Sequence, residues 1–169
     1  MNKIEYRKIA KKILKIKNRK VLNDIINSNI LIDMDIIGIY FPLKNEYDIL
    51  GLMNKYPDKT FAFPRVISKS EMVFIKAKNV NDFEKAAFDG YEPKLVKNNI
   101  IPVNNFDIFI VPCIACSNSK RIGFGAGYYD KYLSNFKGKI VGVVNKKAIN
   151  NDVVMSGHDI SLEHIFEGD

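Results

Sequence analysis

The run Arg121-Ile122-Gly123-Phe124-Gly125-Ala126-Gly127-Tyr128-Tyr129-Asp130 combines residue types and a spacing that could do chemistry. Glycine at every second position leaves backbone N–H groups uncovered, so several can converge on one anion. Arg121 adds a guanidinium fork that matches phosphate oxygens. Tyr128 and Tyr129 offer flat faces and hydroxyls, and Asp130 offers a hard oxygen of the kind magnesium takes beside a nucleotide. The spacing departs from both G-x-G-x-x-G and G-x-x-x-x-G-K-[ST], so the run is neither a dinucleotide fingerprint nor a Walker loop. Bare glycine alternation reads equally well as a flexible turn before a helix. The flanking arginine, tyrosines and aspartate favour a phosphate cradle.

Other candidates lie far from this run in sequence. Lys3 and Arg7, four apart, share one face of a helix and could grip neighbouring phosphate oxygens or simply form a solvated basic face. Cations in a first helical turn oppose the macrodipole, which an anionic partner would relieve. Glu46 suits the start of a helix, Asp130 a helix cap and Asp159 a turn within Gly157-His158-Asp159. Cys113 and Cys116, with His158 and His164, can be written as a four-ligand zinc set. The histidine spacing lacks the supporting pattern, and the strand-end position does not suit a thioredoxin-like dithiol, so buried thiols are expected.

These residues need elements to hold them. Residues 3–28 carry apolar positions at helical intervals among lysines and read as one long or broken amphipathic helix, with Asn18 a point of interruption. Strands are expected at 36–41, 60–63, 71–77, 108–111 and 140–144, and helices at 46–55, 82–88 and 128–135, with a strand or irregular tail. The 108–111 strand, ending at Pro112, is expected to feed the glycine turn. Alternating helices and continuous apolar strands argue for an α/β fold with a mainly parallel open sheet, whose ligands collect at the C-terminal strand ends.

At 169 residues and 47% apolar composition, one domain spanning 1–169 can bury a core without disulfides or a structural metal. No segment has the apolar length of a membrane span and the Lys-rich start lacks a signal-peptide core, so a cytoplasmic protein is expected. The net charge of +7 comes from scattered lysines, which serve solubility and attract polyanions in general.

The run 121–131 resembles the signature of the 5-formyltetrahydrofolate cyclo-ligases, also called methenyltetrahydrofolate synthetases. The likeness extends to Asp107 through Pro112, Glu92-Pro93, Pro64-Arg65 with Met72-Val73-Phe74, and Glu46-Tyr47-Asp48-Ile49. It implies a three-layer α/β sandwich and ATP- and Mg-dependent cyclisation of 5-formyltetrahydrofolate. It further implies ATP on Lys3, Arg7 and Arg121 through Tyr129, including Ile122, with Arg121 and Tyr129 catalytic. Folate is implied against Phe41, Glu46, Phe124, Gly125, Ala126, Gly127 and Tyr128, and Mg²⁺ at Asp130 and Asp159. The partners are then ATP and a folate, polyglutamylated or not, with a monomeric enzyme and neither membrane nor nucleic acid.

Several positions depart from the family pattern. Ile49 replaces a usual threonine, Phe124 stands where arginine or tyrosine is frequent and Ala126 where lysine or glycine is, Ser117 replaces an aspartate, and Lys131 replaces an arginine. The 113–120 segment is short. These departures leave open a non-catalytic RNA-binding module on the same fold, and an ATP-dependent enzyme that activates a different carboxamide or carboxylate.

Overall fold

Runs of β-branched and aromatic residues, bounded by glycine, proline or asparagine, build the centre of the molecule. The computed structural model describes residues 1–13 and 19–169. Its strands are β1 (Ile36–Gly38), β2 (Thr60–Val66), β3 (Met72–Lys76), β4 (Phe83–Lys85), β5 (Tyr91–Pro93), β6 (Ile100–Ile101), β7 (Ile108–Pro112), β8 (Ala115–Ser117), β9 (Lys120–Ile122), β10 (Lys139–Asn145) and β11 (His164–Gly168). Seven form one sheet in the order β11-β10-β7-β1-β2-β3-β6, while β4-β5 and β8-β9 are separate antiparallel hairpins. The five strands from β11 to β2 are parallel; at one edge β3 pairs antiparallel with β2 and β6 antiparallel with β3.

The helices are α1 (Lys3–Ile13), α2 (Lys20–Asn27), α3 (Gly51–Lys55) and α4 (Tyr128–Tyr132). Strand alternation sends Phe109 and Val111 of β7 to one face, where they join a core with Tyr6 of α1 and Leu133 just past α4. Ile108 and Ile110 point to the other face, into a core with Val21 and Ile25 of α2 and Leu52 of α3. Two cores on one sheet make the three layers. Among the described residues no helix is long and apolar enough to cross a membrane.

Topology locates the crevice. From β1 the chain proceeds to β2 on one side, whereas from β7 it proceeds to β10 and β11 on the other. Adjacent parallel strands whose connections diverge leave an opening beyond their C-terminal ends. The segment after β1 carries Phe41 and Glu46, and the one after β7 leads to Arg121 and the glycines.

Some expected elements take another form. A helix over 46–55 is reduced to α3, because Glu46 Oε2 accepts the Leu43 N–H (2.8 Å) and Asp48 Oδ1 accepts the Leu50 N–H (2.9 Å). Such local side-chain bonds compete with helix formation. The expected helix over 82–88 is instead β4. Asp82 Oδ2 accepts the N–H groups of Lys78 (2.7 Å) and Asn79 (2.8 Å) and closes a 3₁₀ turn, after which the chain extends to pair with β5. The glycine turn is not fed directly by β7, since the β8-β9 hairpin intervenes. The expected helix over 3–28 is described as α1 and α2, and the break proposed at Asn18 lies outside the described residues.

Candidate functional site

The glycine turn is open. Phe124, Gly125, Ala126 and Gly127 are exposed, with Phe124 at 47%. Gly125 and Gly127 sit at φ of +112° and +76°, the left-handed region that favours glycine. Gly127 then begins α4, which carries Tyr128, Tyr129 and Asp130. Tyr128 is tied down by a hydrogen bond from its hydroxyl to the Ser68 carbonyl (3.1 Å).

One cation of α1 meets this turn, and a second, one helical turn away, meets Asp159. Arg7 Nε donates to the Gly123 carbonyl at 2.6 Å, and its guanidinium lies 3.6 Å from where a Cβ on Gly125 would stand. Lys3 Nζ pairs with Asp159 Oδ1 at 2.7 Å. One helical turn of spacing therefore delivers both cations to the same end of the sheet. Burial alone would raise the Asp159 carboxyl, but the Lys3 ammonium and the Ser156 N–H outweigh it and hold it below the ordinary range.

Asp130 joins the same corner. Its Oδ1 accepts the Ile160 N–H at 3.3 Å, one residue past Asp159. Asp130 and Asp159 also line a cavity of about 740 Å³ together with Gly127, Lys131, Gly157 and His158. Among the described residues no three His, Cys, Asp or Glu side chains form a metal-holding group. Magnesium, however, takes one or two carboxylates and completes its shell with phosphate oxygens and water. Each carboxylate has about four lone-pair sites, so the hydrogen bonds of Asp130 and Asp159 leave capacity for a cation. The donor set fits.

Arg121 lies beneath the turn, only 6% exposed. Its Nε donates to the Pro112 carbonyl at the end of β7 (2.8 Å), and its guanidinium carbon sits 4.4 Å from the Tyr129 ring centroid. A Cβ on Gly123 would stand 2.4 Å from Arg121 Nη1, so glycine there leaves room for the guanidinium. Burial pushes the Tyr129 hydroxyl well above its ordinary range, with Arg121 partly opposing and Glu46 reinforcing the shift. At neutral pH this phenol is a hydrogen-bond donor rather than a base.

Glu46 lies within electrostatic reach of Arg121. Its surface is half-buried, yet surrounding atoms strip water from the carboxylate. Burial raises its pKa to about 7, against the lowering effects of the Leu43 N–H and the Arg121 charge. The turn that carries it is fixed by Tyr40, whose hydroxyl donates to the Tyr47 carbonyl at 2.7 Å. Phe41 packs against Phe83 and Tyr91, at ring-centroid distances of 5.1 and 5.3 Å.

The structure thus brings Lys3, Arg7, Gly123, Asp130 and Asp159 to one corner, with Arg121 and Tyr129 beneath the turn and Glu46 within electrostatic reach of Arg121. Cys113 and Cys116 are buried free thiols. The sequence pattern did not single out Phe83, placed in the expected 82–88 helix, or Tyr91, which fell in no expected element. The Asp89-Gly90 dipeptide between two short runs was the available hairpin signal.

Comparison with known proteins adds a lineage to this geometry. The profile of the 5-formyltetrahydrofolate cyclo-ligase family matches residues 3–168. A 5-formyltetrahydrofolate cyclo-ligase of Haemophilus influenzae is 28% identical over 108 residues, covering 61% of this chain and 58% of its own. One of Mycoplasma genitalium is 32% identical over 105 residues, covering 58% of this chain and 50% of its own. The matches thus span little more than half of those relatives' length. The solved structure of a 5,10-methenyltetrahydrofolate synthetase from Mycoplasma pneumoniae superposes with a TM-score of 0.78 at 22% identity over 98% of both chains. That of Aquifex aeolicus does so with a TM-score of 0.81 at 23% identity, over 99% of this chain and 90% of its own. At these identities the two structures speak for the fold alone.

Proposed function

The chain belongs to the 5-formyltetrahydrofolate cyclo-ligase family, and from that premise we propose that it converts 5-formyltetrahydrofolate to 5,10-methenyltetrahydrofolate while splitting ATP to ADP and phosphate. The N5-formyl group is an amide, so its carbon is a poor electrophile and its oxygen a nucleophile. In the proposed reaction the formyl oxygen takes the γ-phosphoryl group and ADP leaves, giving an iminium phosphate. N10 then attacks the activated carbon and loses its proton. Phosphate departs with the C–O electron pair, leaving the methenyl bridge.

Such chemistry needs positioning and charge balance more than a nucleophilic side chain. In this reading Lys3, Arg7 and the N–H groups of residues 123–127 hold the triphosphate, with Lys3 exchanging Asp159 for a phosphate oxygen. Asp130 and Asp159 would hold Mg²⁺, which would neutralise charge on the β- and γ-phosphate oxygens. Arg121 faces charge developing at the transferred group, and the protonated Tyr129 donates a hydrogen bond. Glu46 accepts adjacent N–H groups from the pteridine edge, and Phe41 walls the ring. Phe124 and Tyr128 border the gap between the two ligands. The enzyme acts as a monomer, one domain over residues 1–169, on soluble substrates in the cytoplasm.

One observation carries the reading: the buried Arg121 guanidinium underlies the exposed glycine turn and also acts on the Glu46 carboxylate. A single cation is thereby within electrostatic reach of both proposed half-sites. The test mixes purified protein, 5-formyltetrahydrofolate and Mg-ATP and follows the methenyl chromophore. Formation that requires ATP and fails in Arg121→Ala supports the reading. Folate binding with no product, or product without ATP, contradicts it.

A further inference from the structure

The β4-β5 hairpin supplies Phe83 and Tyr91 to the aromatic wall, yet it pairs with no strand of the main sheet. A lone two-stranded hairpin is marginally stable at best. Its register makes matters worse, because Glu84 stands directly opposite Glu92. Like charges in directly opposed positions are destabilising. Something outside the hairpin has to hold it.

Arg65, near the C-terminal end of β2, does so. Its Nη1 donates to Glu84 Oε1 and to the Pro93 carbonyl (2.9 Å), and lies 3.6 Å from Glu92 Oε1. One guanidinium thus sits between the two opposed carboxylates and bonds the backbone of the second strand. The Arg65 and Glu92 side chains are only 19% and 14% exposed, which shields the pair from solvent. Alternation along the strands sends Glu84 and Glu92 to one side and Phe83 and Tyr91 to the other. Phe83 also meets Phe63 of β2 edge-on, at 4.8 Å between centroids. The hairpin loop reaches the Glu46 turn as well: a Cβ on Gly90 would stand 2.6 Å from Leu43 Cδ2, and the Leu43 N–H is bonded by Glu46.

We propose that Arg65 is a positioning residue for the flat-ring substrate: by neutralising Glu84 and Glu92 it clamps the hairpin, which sets Phe83 and Tyr91 against Phe41 and backs the Glu46 turn. The proposal rests on the reading that a pteridine binds at Glu46. It assigns Arg65 no contact with substrate and no part in nucleotide binding.

The decisive set is Arg65→Met alone and combined with Glu84→Gln and Glu92→Gln. Losing the charged bonds should weaken 5-formyltetrahydrofolate binding about tenfold, with ATP affinity unchanged within about twofold. Removing the two stranded carboxylates should restore most of the folate affinity, a rescue that simple loss of packing would not give. The chain contains no tryptophan, so Tyr91→Trp introduces a unique fluorophore for the hairpin. Its acrylamide quenching should rise with Arg65→Met and fall back in the triple background. Unchanged quenching, equal losses of ATP and folate affinity, or no rescue would overturn the clamp. If quenching follows the expected pattern but the unaltered chain binds no folate, the substrate role is overturned while the clamp stands.

Discussion

The two halves of the candidate site are built from opposite materials. The corner around Gly123, Lys3, Arg7, Asp130 and Asp159 is polar, and its turn is largely exposed, with two half-buried cations held against Gly123 and Asp159. The region around Glu46 instead combines a desolvated carboxylate with an aromatic cluster of Phe41, Phe83 and Tyr91. A triphosphate brings its own charge and many equivalent oxygens, so in the proposed reading exposed N–H groups and a pair of cations suffice to meet it. A pteridine offers a flat face and a short row of donors, and in the proposed reading its recognition depends on one acceptor held in a low-dielectric setting. Arg121 is the seam between them.

Substitutions should therefore behave differently on the two sides. The largest effect is expected from Glu46→Gln, which removes a charged acceptor. Folate binding should weaken about a hundredfold or more, with ATP affinity intact, as calorimetric titration of each ligand would show. Gly123→Ala comes next. Its Cβ would stand 2.4 Å from Arg121 Nη1, so it should displace the guanidinium and lower kcat/KM by about tenfold to a hundredfold. Equal loss in Gly127→Ala, whose Cβ meets nothing within 4 Å, would show that general loop strain is responsible. Arg7→Ala should raise the KM for ATP about tenfold while leaving folate affinity alone.

A smaller effect follows from the Glu46 pKa of about 7, raised from an ordinary 4.5. Between these values the folded chain binds more protons than the unfolded one, so stability falls as pH rises through that interval and then levels off. The upper limit is about 3 kcal/mol. Denaturation across this range should show the decline, and Glu46→Gln should flatten it. Because the carboxylate is the form that accepts N–H groups, folate affinity should also grow as pH rises toward neutrality and above.

How much of this was legible in the sequence depended on range. The apolar run in β7 and the alternation of helices and strands pointed to a mainly parallel sheet, because continuous burial leaves a compositional trace. Lys3 and Arg7 could be paired from their spacing alone. That Lys3 would meet Asp159, 156 residues away, could be expected only through the family likeness. The hairpin of Phe83 and Tyr91 was not legible, its first strand reading as part of a helix over 82–88, because each strand has only three residues, too few for a period to show. The Arg65 clamp was invisible for a related reason: the opposition of Glu84 and Glu92 exists only once the register is known. The intervening β8-β9 hairpin was missed too, since its turn is made by Asn118 and Ser119 at positive φ rather than by glycine.

The central claim is that the formyl oxygen itself receives the phosphoryl group. A substrate carrying heavy oxygen in its formyl group, turned over with unlabelled ATP in unlabelled water, tests it directly. The account predicts one labelled oxygen in each phosphate released. Unlabelled phosphate formed alongside the methenyl product would mean that ATP is cleaved by another route, and the account would fail.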